Sequence, residues 1–149
     1  MKGFRHATRL CVRNFQVDWQ GIVHNAIYLE YFEIGRVEYL RGLGHILDLA
    51  SVNRSTRVVL ARNEIDYILP ARFDDLLDVG TRVSMIGTSS FVFEGVIEVH
   101  KTKKLIARNR AVHVWLHPTE GYPIPVPGKF ISRVEAYERK LIPRKIAVL

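Results

Sequence analysis

The amino-acid sequence predicts an α+β fold in which an antiparallel sheet wraps around one long, buried helix. The helix is predicted at residues 26–41, which are apolar on nearly every side, as in a helix with other elements packed around it. Four strand-like segments follow with no helix between them, a pattern that favours antiparallel pairing. With one further strand before the helix, the sequence predicts a five-stranded sheet.

The predicted helix has recognisable ends. Asn25 occupies the N-cap position, and Gly42 and Gly44 follow the last turn, where helices commonly end. Asp18 lies seven positions before this N-cap, so we expect its carboxylate near the free backbone N–H groups of a helix N-terminus.

The remaining elements follow from alternation and turn residues. Residues 45–56 are expected to form a helical turn and a polar crossing, and residues 73–80 a turn. A short helix is expected with Phe130, Val134 and Tyr137 facing inward. Strands are expected at 5–15, 57–69, 81–88, 91–101 and 105–117, and the short helix at 130–139. Residues 1–149 are therefore interpreted as one domain with a core at about 5–117 and a basic C-terminal tail.

The net charge of +7 is unevenly distributed. Residues 1–75 contain 10 Lys/Arg and 9 Asp/Glu, whereas residues 76–149 contain 12 and 6. The excess is interpreted either as a solvated turn and tail or as a site for the phosphates of a nucleotide-bearing ligand. No nucleic-acid motif accompanies it, so nucleic acid is not expected as a partner. The candidate phosphate contacts are Lys101, Lys103, Lys104, Arg108 and Arg110.

The rest of the composition narrows the classes of protein. The single cysteine, Cys11, excludes an intrachain disulfide and is interpreted as a small buried residue of a strand. The N-terminus lacks an apolar signal region, and no stretch approaches the ~18 apolar residues of a membrane span. No metal-ligand cluster or phosphate loop is visible, so no metal and no cofactor are expected. A cytoplasmic protein is the default expectation.

Three blocks of sequence carry a family resemblance. The first block comprises DWQGIVHNAIY at 18–28 and YFEIGRVEYL at 31–40, the second is ILPARFDD at 68–75 and the third is GTSSF at 87–91. Their order and spacing resemble those of hotdog-fold acyl-CoA thioesterases, and most closely the 4-hydroxybenzoyl-CoA thioesterase family. The resemblance implies a single hotdog domain that hydrolyses an acyl thioester of coenzyme A. It does not specify the acyl group.

Thioester hydrolysis needs a carboxylate at the carbonyl and donors for the oxyanion. The resemblance implies that Asp18 is the nucleophile or the general base and that the backbone N–H of Asn25 polarises the carbonyl. From the residues alone, without the resemblance, Asp18 is interpreted as a loop carboxylate that caps a turn.

Other candidates have a supporting role. His24 is interpreted either as an exposed loop residue or as a group that orients Asp18 or a water molecule. Tyr28 is a candidate for the core or the acyl-pocket wall. Glu33 is an alternative carboxylate or a helix-face charge that pairs with Arg36 or Arg41. Ser89 and Ser90 lie where the resembled family contacts the pantetheine arm. The candidate substrate-binding residues are Val58, Val59, Ser89 and Ser90.

Two further functions stay open at this point. An acyl-carrier-protein thioesterase would present the same basic surface to an acidic partner, and a non-catalytic acyl-CoA sensor would share the fold. A sensor has no need of Asp18. A homodimer or homotetramer is expected because a short sheet leaves edges to be paired, and Gly35 would permit close approach of another backbone or ring.

Overall fold

The structure is a computed structural model that describes residues 1–45 and 57–144. In these ranges the strands are β1 (His6–Cys11), β2 (Arg57–Tyr67), β3 (Leu76–Ile86), β4 (Ser90–Val99) and β5 (Leu105–Leu116). The helices are α1 (Ile27–Gly42) and α2 (Gly128–Glu138), with a 3-10 turn at Asn14–Gln16. The predicted turn and crossing at 45–56 lie outside the described residues, apart from His45.

The five strands form one sheet in the order β1-β3-β4-β5-β2. β1 runs antiparallel to β3, with His6 opposite Thr81 and Cys11 opposite Leu76. β2 follows α1 in the chain, yet it occupies an edge of the sheet. A five-stranded antiparallel sheet with a long helix against it confirms the predicted fold class, a single hotdog domain.

The chain contains two compact units. The first comprises Met1–Tyr39, Ile65–Arg82 and Gly95–Asn109, and the second Leu40–Glu64, Val83–Glu94 and Arg110–Leu149. In the first unit, Tyr28, Tyr31 and Phe32 of α1 pack into a core with Val79 of β3 and Ile97 of β4. Burial of each such side chain stabilises the fold by roughly 1.5–3 kcal/mol, so the apolar face of α1 is a main source of stability.

Aromatic rings dominate the core of the second unit. Phe130 of α2 lies 4.8 Å from Phe91 and 5.2 Å from Trp115, measured between ring centroids. His113 of β5 stacks on Phe91 at 5.5 Å and is a half-buried member of this cluster. α2 begins after Pro127, two residues earlier than predicted. Its inward face agrees with the prediction for Phe130 and Val134, which are buried.

The turn predicted at residues 73–80 is wrong, because β3 already begins at Leu76. Asp78 and Gly80 suggest a turn in sequence, but both have tertiary partners within the strand. The Asp78 carboxylate accepts hydrogen bonds from Arg9 and Lys103, and Gly80 faces the side chains of Met1, Phe4 and Val96. The actual turn lies just before β3, where the Arg72 N–H donates to Asp75 Oδ2 at 2.8 Å.

β1 is shorter than predicted and ends at Cys11. Beyond it the Arg13 N–H donates to the Gln16 side chain at 2.8 Å, which closes the 3-10 turn at Asn14–Gln16. This side-chain bond competes with the strand ladder, so the alternating pattern that predicted a strand to residue 15 was misleading.

Gly35, which the sequence analysis linked to an oligomer contact, lies against β3 of its own chain. A Cβ atom built at Gly35 would lie 2.6 Å from Thr81 Oγ1 and 2.9 Å from Val79 Cγ1. Both distances are shorter than van der Waals contact, and both neighbours are β-branched side chains held in the sheet. The absence of a side chain at position 35 therefore sets how closely α1 packs on β3.

We expect Gly35→Ala to lower the free energy of unfolding by about 1–3 kcal/mol, because overpacking outweighs the better helix propensity of alanine. Gly128→Ala is the matched control, since Gly128 is also helical and a Cβ there would meet nothing within 4 Å. Urea denaturation of both variants measures the difference. Equal stability of the two variants would contradict the tight α1–β3 contact.

Candidate active site

Asp18 begins the turn of a short β-hairpin that leads into α1. The Asp18 N–H donates to the Ile22 carbonyl at 2.8 Å, and Val17 bridges Val23. The Gly21 N–H donates back to the Asp18 carbonyl at 3.0 Å, and Gly21 has a φ of 74°, which glycine adopts without strain. The hairpin thus holds Asp18 at a defined place on a tight turn.

One oxygen of the Asp18 carboxylate stabilises this turn. Asp18 Oδ1 accepts the Gln20 N–H at 2.7 Å, the local bond expected of a turn-capping aspartate. Among the described residues Oδ2 has no hydrogen-bond partner, and the side chain is half-buried. The carboxylate is therefore oriented through one oxygen while the other is available for chemistry. The next residue, Trp19, is 92% exposed.

α1 begins at Ile27, and among the described contacts His24 rather than the Asn25 side chain accepts the backbone N–H groups at its start. His24 Nδ1 accepts the Ala26 N–H at 3.1 Å, and the His24 carbonyl accepts the Ile27 N–H at 2.9 Å. Because Nδ1 is the acceptor in this contact, Nε2 is the ring nitrogen left to face a ligand or water. Among the described contacts none joins His24 to Asp18.

The Asn25 backbone N–H has no hydrogen-bond partner among the described residues, whereas the Asn25 carbonyl accepts the Tyr67 hydroxyl at 3.1 Å. This N–H lies in the first turn before α1, where the helix dipole favours negative charge. Its role as an oxyanion donor stays a prediction. Asp18 and Asn25 lie at opposite ends of the hairpin stem, and no described contact joins their side chains.

Tyr28 is buried, and its hydroxyl accepts the Ala71 N–H at 3.1 Å. Burial raises the pKa of Tyr28, so its phenol stays protonated at neutral pH. Its ring lies edge-on to that of Tyr67 at 5.4 Å. The sequence placed Tyr28 in the core or pocket wall; its role in fastening the β2–β3 connection was missed, because the partner is a backbone N–H distant in sequence.

Glu33 is exposed on α1 near Arg36. Burial lowers the pKa of Arg36, and the charge of Glu33 partly offsets this effect. The buried Arg36 guanidinium donates to Asn109 Oδ1 at 3.3 Å. Among the described contacts Glu33 makes no ion pair with Arg36, so the expected helix-face pairing is limited to this electrostatic effect.

The remaining candidates belong to the second unit, whereas Asp18, Asn25, His24, Tyr28 and Glu33 belong to the first. On β2, Val58 is half-buried and Val59 is exposed. Ser89 and Ser90 are half-buried at the β3–β4 connection.

At this connection the Ser89 carbonyl accepts the Trp115 N–H at 2.8 Å, and the Ser90 carbonyl accepts the Gly87 N–H at 2.7 Å. The serine backbones are thus used to build the sheet.

The β4–β5 turn contains most of the predicted phosphate contacts. Some of these cations already make ion pairs within the protein, and others do not. Burial alone would raise the pKa of Asp78, but hydrogen bonds from His100, Lys103 and Arg9 outweigh it and lower the pKa to about 2. Lys103 is thereby engaged, with its Nζ 3.0 Å from Asp78 Oδ2.

In the second unit Arg110 lies 3.6 Å from Glu64. Three of the predicted cations are exposed and carry no described ion pair: Lys101, Lys104 and Arg108.

Comparison with known proteins identifies the class. The sequence profile of the thioesterase superfamily matches residues 20–106, more than half of the chain. The chain belongs to this superfamily and is a thioester hydrolase, which confirms the resemblance seen in the sequence. The match begins two residues after Asp18.

Individual relatives agree with this assignment. A thioesterase from Thermus thermophilus, crystallised with coenzyme A and Zn, is 31% identical; the alignment covers 95% of this chain and 100% of that one, with a TM-score of 0.82. The acyl-CoA thioester hydrolase YbgC of Escherichia coli O6:H1 is 28% identical over 77% of this chain and 84% of its own. The chloroplastic acyl-acyl carrier protein thioesterase ATL3 of Arabidopsis thaliana is 26% identical over 91% of this chain and 70% of its own.

Metal-ligand clusters and membrane-spanning helices are both absent from the described residues. No group of three or more His, Cys, Asp or Glu side chains in residues 1–45 and 57–144 is arranged to hold a metal ion. In the same ranges, neither helix is long and apolar enough to cross a membrane.

Proposed function

We propose that this protein hydrolyses acyl-CoA thioesters to the free acid and coenzyme A, with Asp18 as the catalytic carboxylate. The observation that carries the proposal is the arrangement of the hairpin, which leaves Asp18 Oδ2 and the Asn25 N–H without partners among the described residues. One is an acceptor suited to attack or to proton removal, and the other is a donor suited to an oxyanion. YbgC, which acts on acyl-CoA, supports the substrate class.

In this proposal all steps take place at the thioester carbonyl of the substrate. Asp18 either attacks the thioester carbon directly or removes a proton from an attacking water molecule. The negative charge that develops on the carbonyl oxygen is stabilised by the Asn25 N–H and the N-terminal end of α1. Collapse of the tetrahedral intermediate expels the coenzyme A thiolate, and direct attack leaves an anhydride that water must then open.

An acyl carrier protein is the second candidate for the thiol carrier. ATL3 is named for that substrate, and the exposed Lys101, Lys104 and Arg108 would suit an acidic protein as well as phosphates. A panel of acyl-CoA and acyl-carrier-protein thioesters distinguishes the two by kcat/KM. A non-catalytic sensor is disfavoured by membership of a hydrolase family.

We expect Asp18→Asn to lower kcat at least ~100-fold with little change in KM, because it removes charge and basicity but preserves shape. Asp18→Glu should also lose on the order of 100-fold, since one methylene moves the oxygens by about 1 Å. Steady-state kinetics on an acyl-CoA measures both. Glu120→Gln neutralises an exposed carboxylate in the loop after β5 and serves as the control.

If Asp18→Asn keeps more than about a third of the wild-type kcat, the assignment is wrong and Glu33 becomes the leading carboxylate. Single-turnover hydrolysis in ¹⁸O water separates the two roles of Asp18. After direct attack, water that opens the anhydride at the Asp18 carbonyl carbon leaves an enzyme oxygen in the product acid, whereas general-base catalysis always places solvent oxygen there.

The nucleotide end of coenzyme A is assigned to the exposed cations of the β4–β5 turn and β5. Neutralising Lys101 and Lys104 together, each to Gln, should raise KM several-fold while kcat changes little, because the phosphates bind alike in ground and transition states. The effect should shrink as salt rises.

Lys129→Gln with Lys140→Gln removes the same charge from exposed positions in and just after α2. An equal KM in the two double variants would show that the turn is only a solvated surface.

A homodimer, or a dimer of dimers, is proposed on the basis of the exposed edge strand. β2 lies at an edge of the described sheet, with Val59 37% and Leu60 48% exposed, so it offers a strand edge and apolar side chains to a second copy.

Sedimentation at micromolar concentration should show a dimer or tetramer, and Leu60→Glu should shift it toward monomer, whereas Leu141→Glu, at another exposed leucine, should not. A monomeric wild-type protein would refute the proposal.

A further inference from the structure

Gln16 joins three parts of the chain around the Asp18 hairpin. Its side-chain oxygen Oε1 accepts the Tyr31 hydroxyl at 2.7 Å and the Arg13 N–H at 2.8 Å. Its backbone carbonyl accepts the His24 N–H at 2.9 Å, which closes the hairpin stem at the end nearest α1. Gln16 therefore connects the 3-10 turn, the hairpin and the helix.

Tyr31 is the rigid end of this connection. It is only 2% exposed, and its ring packs edge-on to that of Tyr28 at 6.2 Å. Burial raises the pKa of Tyr31 to about 12, so the phenol remains a hydrogen-bond donor across the working pH range. A buried ring on a helix has little freedom, and its hydroxyl thus fixes the position of Gln16 Oε1.

We propose that Tyr31 and Gln16 are positioning residues that hold the Asp18 hairpin in its working orientation against the N-terminus of α1. So short a two-stranded hairpin is marginally stable alone, and its orientation must therefore come from tertiary contacts. Gln16 precedes Asp18 by two residues, and a shift at the base of the stem is transmitted to the turn. A displacement of about 1 Å at a reacting group costs on the order of 100-fold in rate.

This inference rests on the proposed role of Asp18 and adds two residues to it. No sequence pattern marks the pair, because Tyr31 resembles any core tyrosine and Gln16 any loop residue. Neither side chain is assigned contact with the reacting atoms.

The test compares two equally buried phenols on α1. Tyr31→Phe should lower kcat about tenfold with KM unchanged within about twofold. Tyr39→Phe is the matched control, since Tyr39 is also fully buried on α1 but packs on His6, away from the hairpin. It should change kcat less than about twofold, while both variants lower the melting temperature to a similar extent. If Tyr31→Phe leaves kcat at the wild-type value, the inference is wrong.

A double-mutant cycle with Asp18→Asn tests whether Tyr31 acts through Asp18. In the Asp18→Asn background, Tyr31→Phe should have no further effect on the residual rate, because there is no carboxylate left to position. A further loss of about tenfold would show that Tyr31 acts independently of Asp18 and would overturn the inference.

A loss of activity in Asp18→Asn, combined with full activity in Tyr31→Phe, would refute this inference and leave the proposed function intact. Full activity in Asp18→Asn would refute both.

Two replacements of Gln16 separate the contribution of its hydrogen bonds to kcat from that of its side-chain volume. Gln16→Glu keeps an acceptor for both donors and should retain kcat within about threefold above about pH 7, whereas Gln16→Leu removes the acceptor and should lose about tenfold. Equal kcat in the two Gln16 variants would contradict a positioning role for these bonds.

Discussion

The close contact between α1 and the sheet is the constraint on which the rest of the first unit depends. Two glycines make it possible: Gly35 of α1 lies against Val79 and Thr81, and Gly95 of β4 lies against the Phe32 ring, 2.6 Å from where a Cβ would be. Because interiors pack densely, this approach fixes the depth and rotation of α1. The rings of Tyr28 and Tyr31, and through them the loops that their hydroxyls contact, are positioned as a consequence.

Polar groups inside this unit are retained where they have partners. Asp78 lies in a strand among apolar neighbours and keeps its charge through Arg9, His100 and Lys103. Arg36 is buried in the middle of α1 beside Asn109. Removal of one member of such a group costs more than its net contribution to stability, since the remaining charge loses its compensation. These groups therefore make the packing of α1 and β3 specific as well as stable.

The sequence predicted the fold class, the order of elements and α1 to within one residue, because the apolar periodicity of a buried helix is a strong local signal. It failed where partners are distant in sequence: Asp78 and Gly80 indicated a turn, yet they form part of β3. The same contrast between local signals and distant partners holds for the candidate site. Asp18 and Asn25 came from a local motif, whereas the anchoring bonds of Tyr28, Tyr31 and Gln16 join residues up to 43 positions apart and leave no pattern in the sequence.

The two tryptophans of the chain lie in opposite environments. Trp115 is 5% exposed within the aromatic cluster of the second unit, whereas Trp19 is 92% exposed on the turn directly after Asp18. Their intrinsic fluorescence therefore carries two separable signals. Emission from Trp115 reports loss of the core on unfolding. Emission from Trp19, already in water, is expected to change little on unfolding and to respond to a molecule that covers the Asp18 turn.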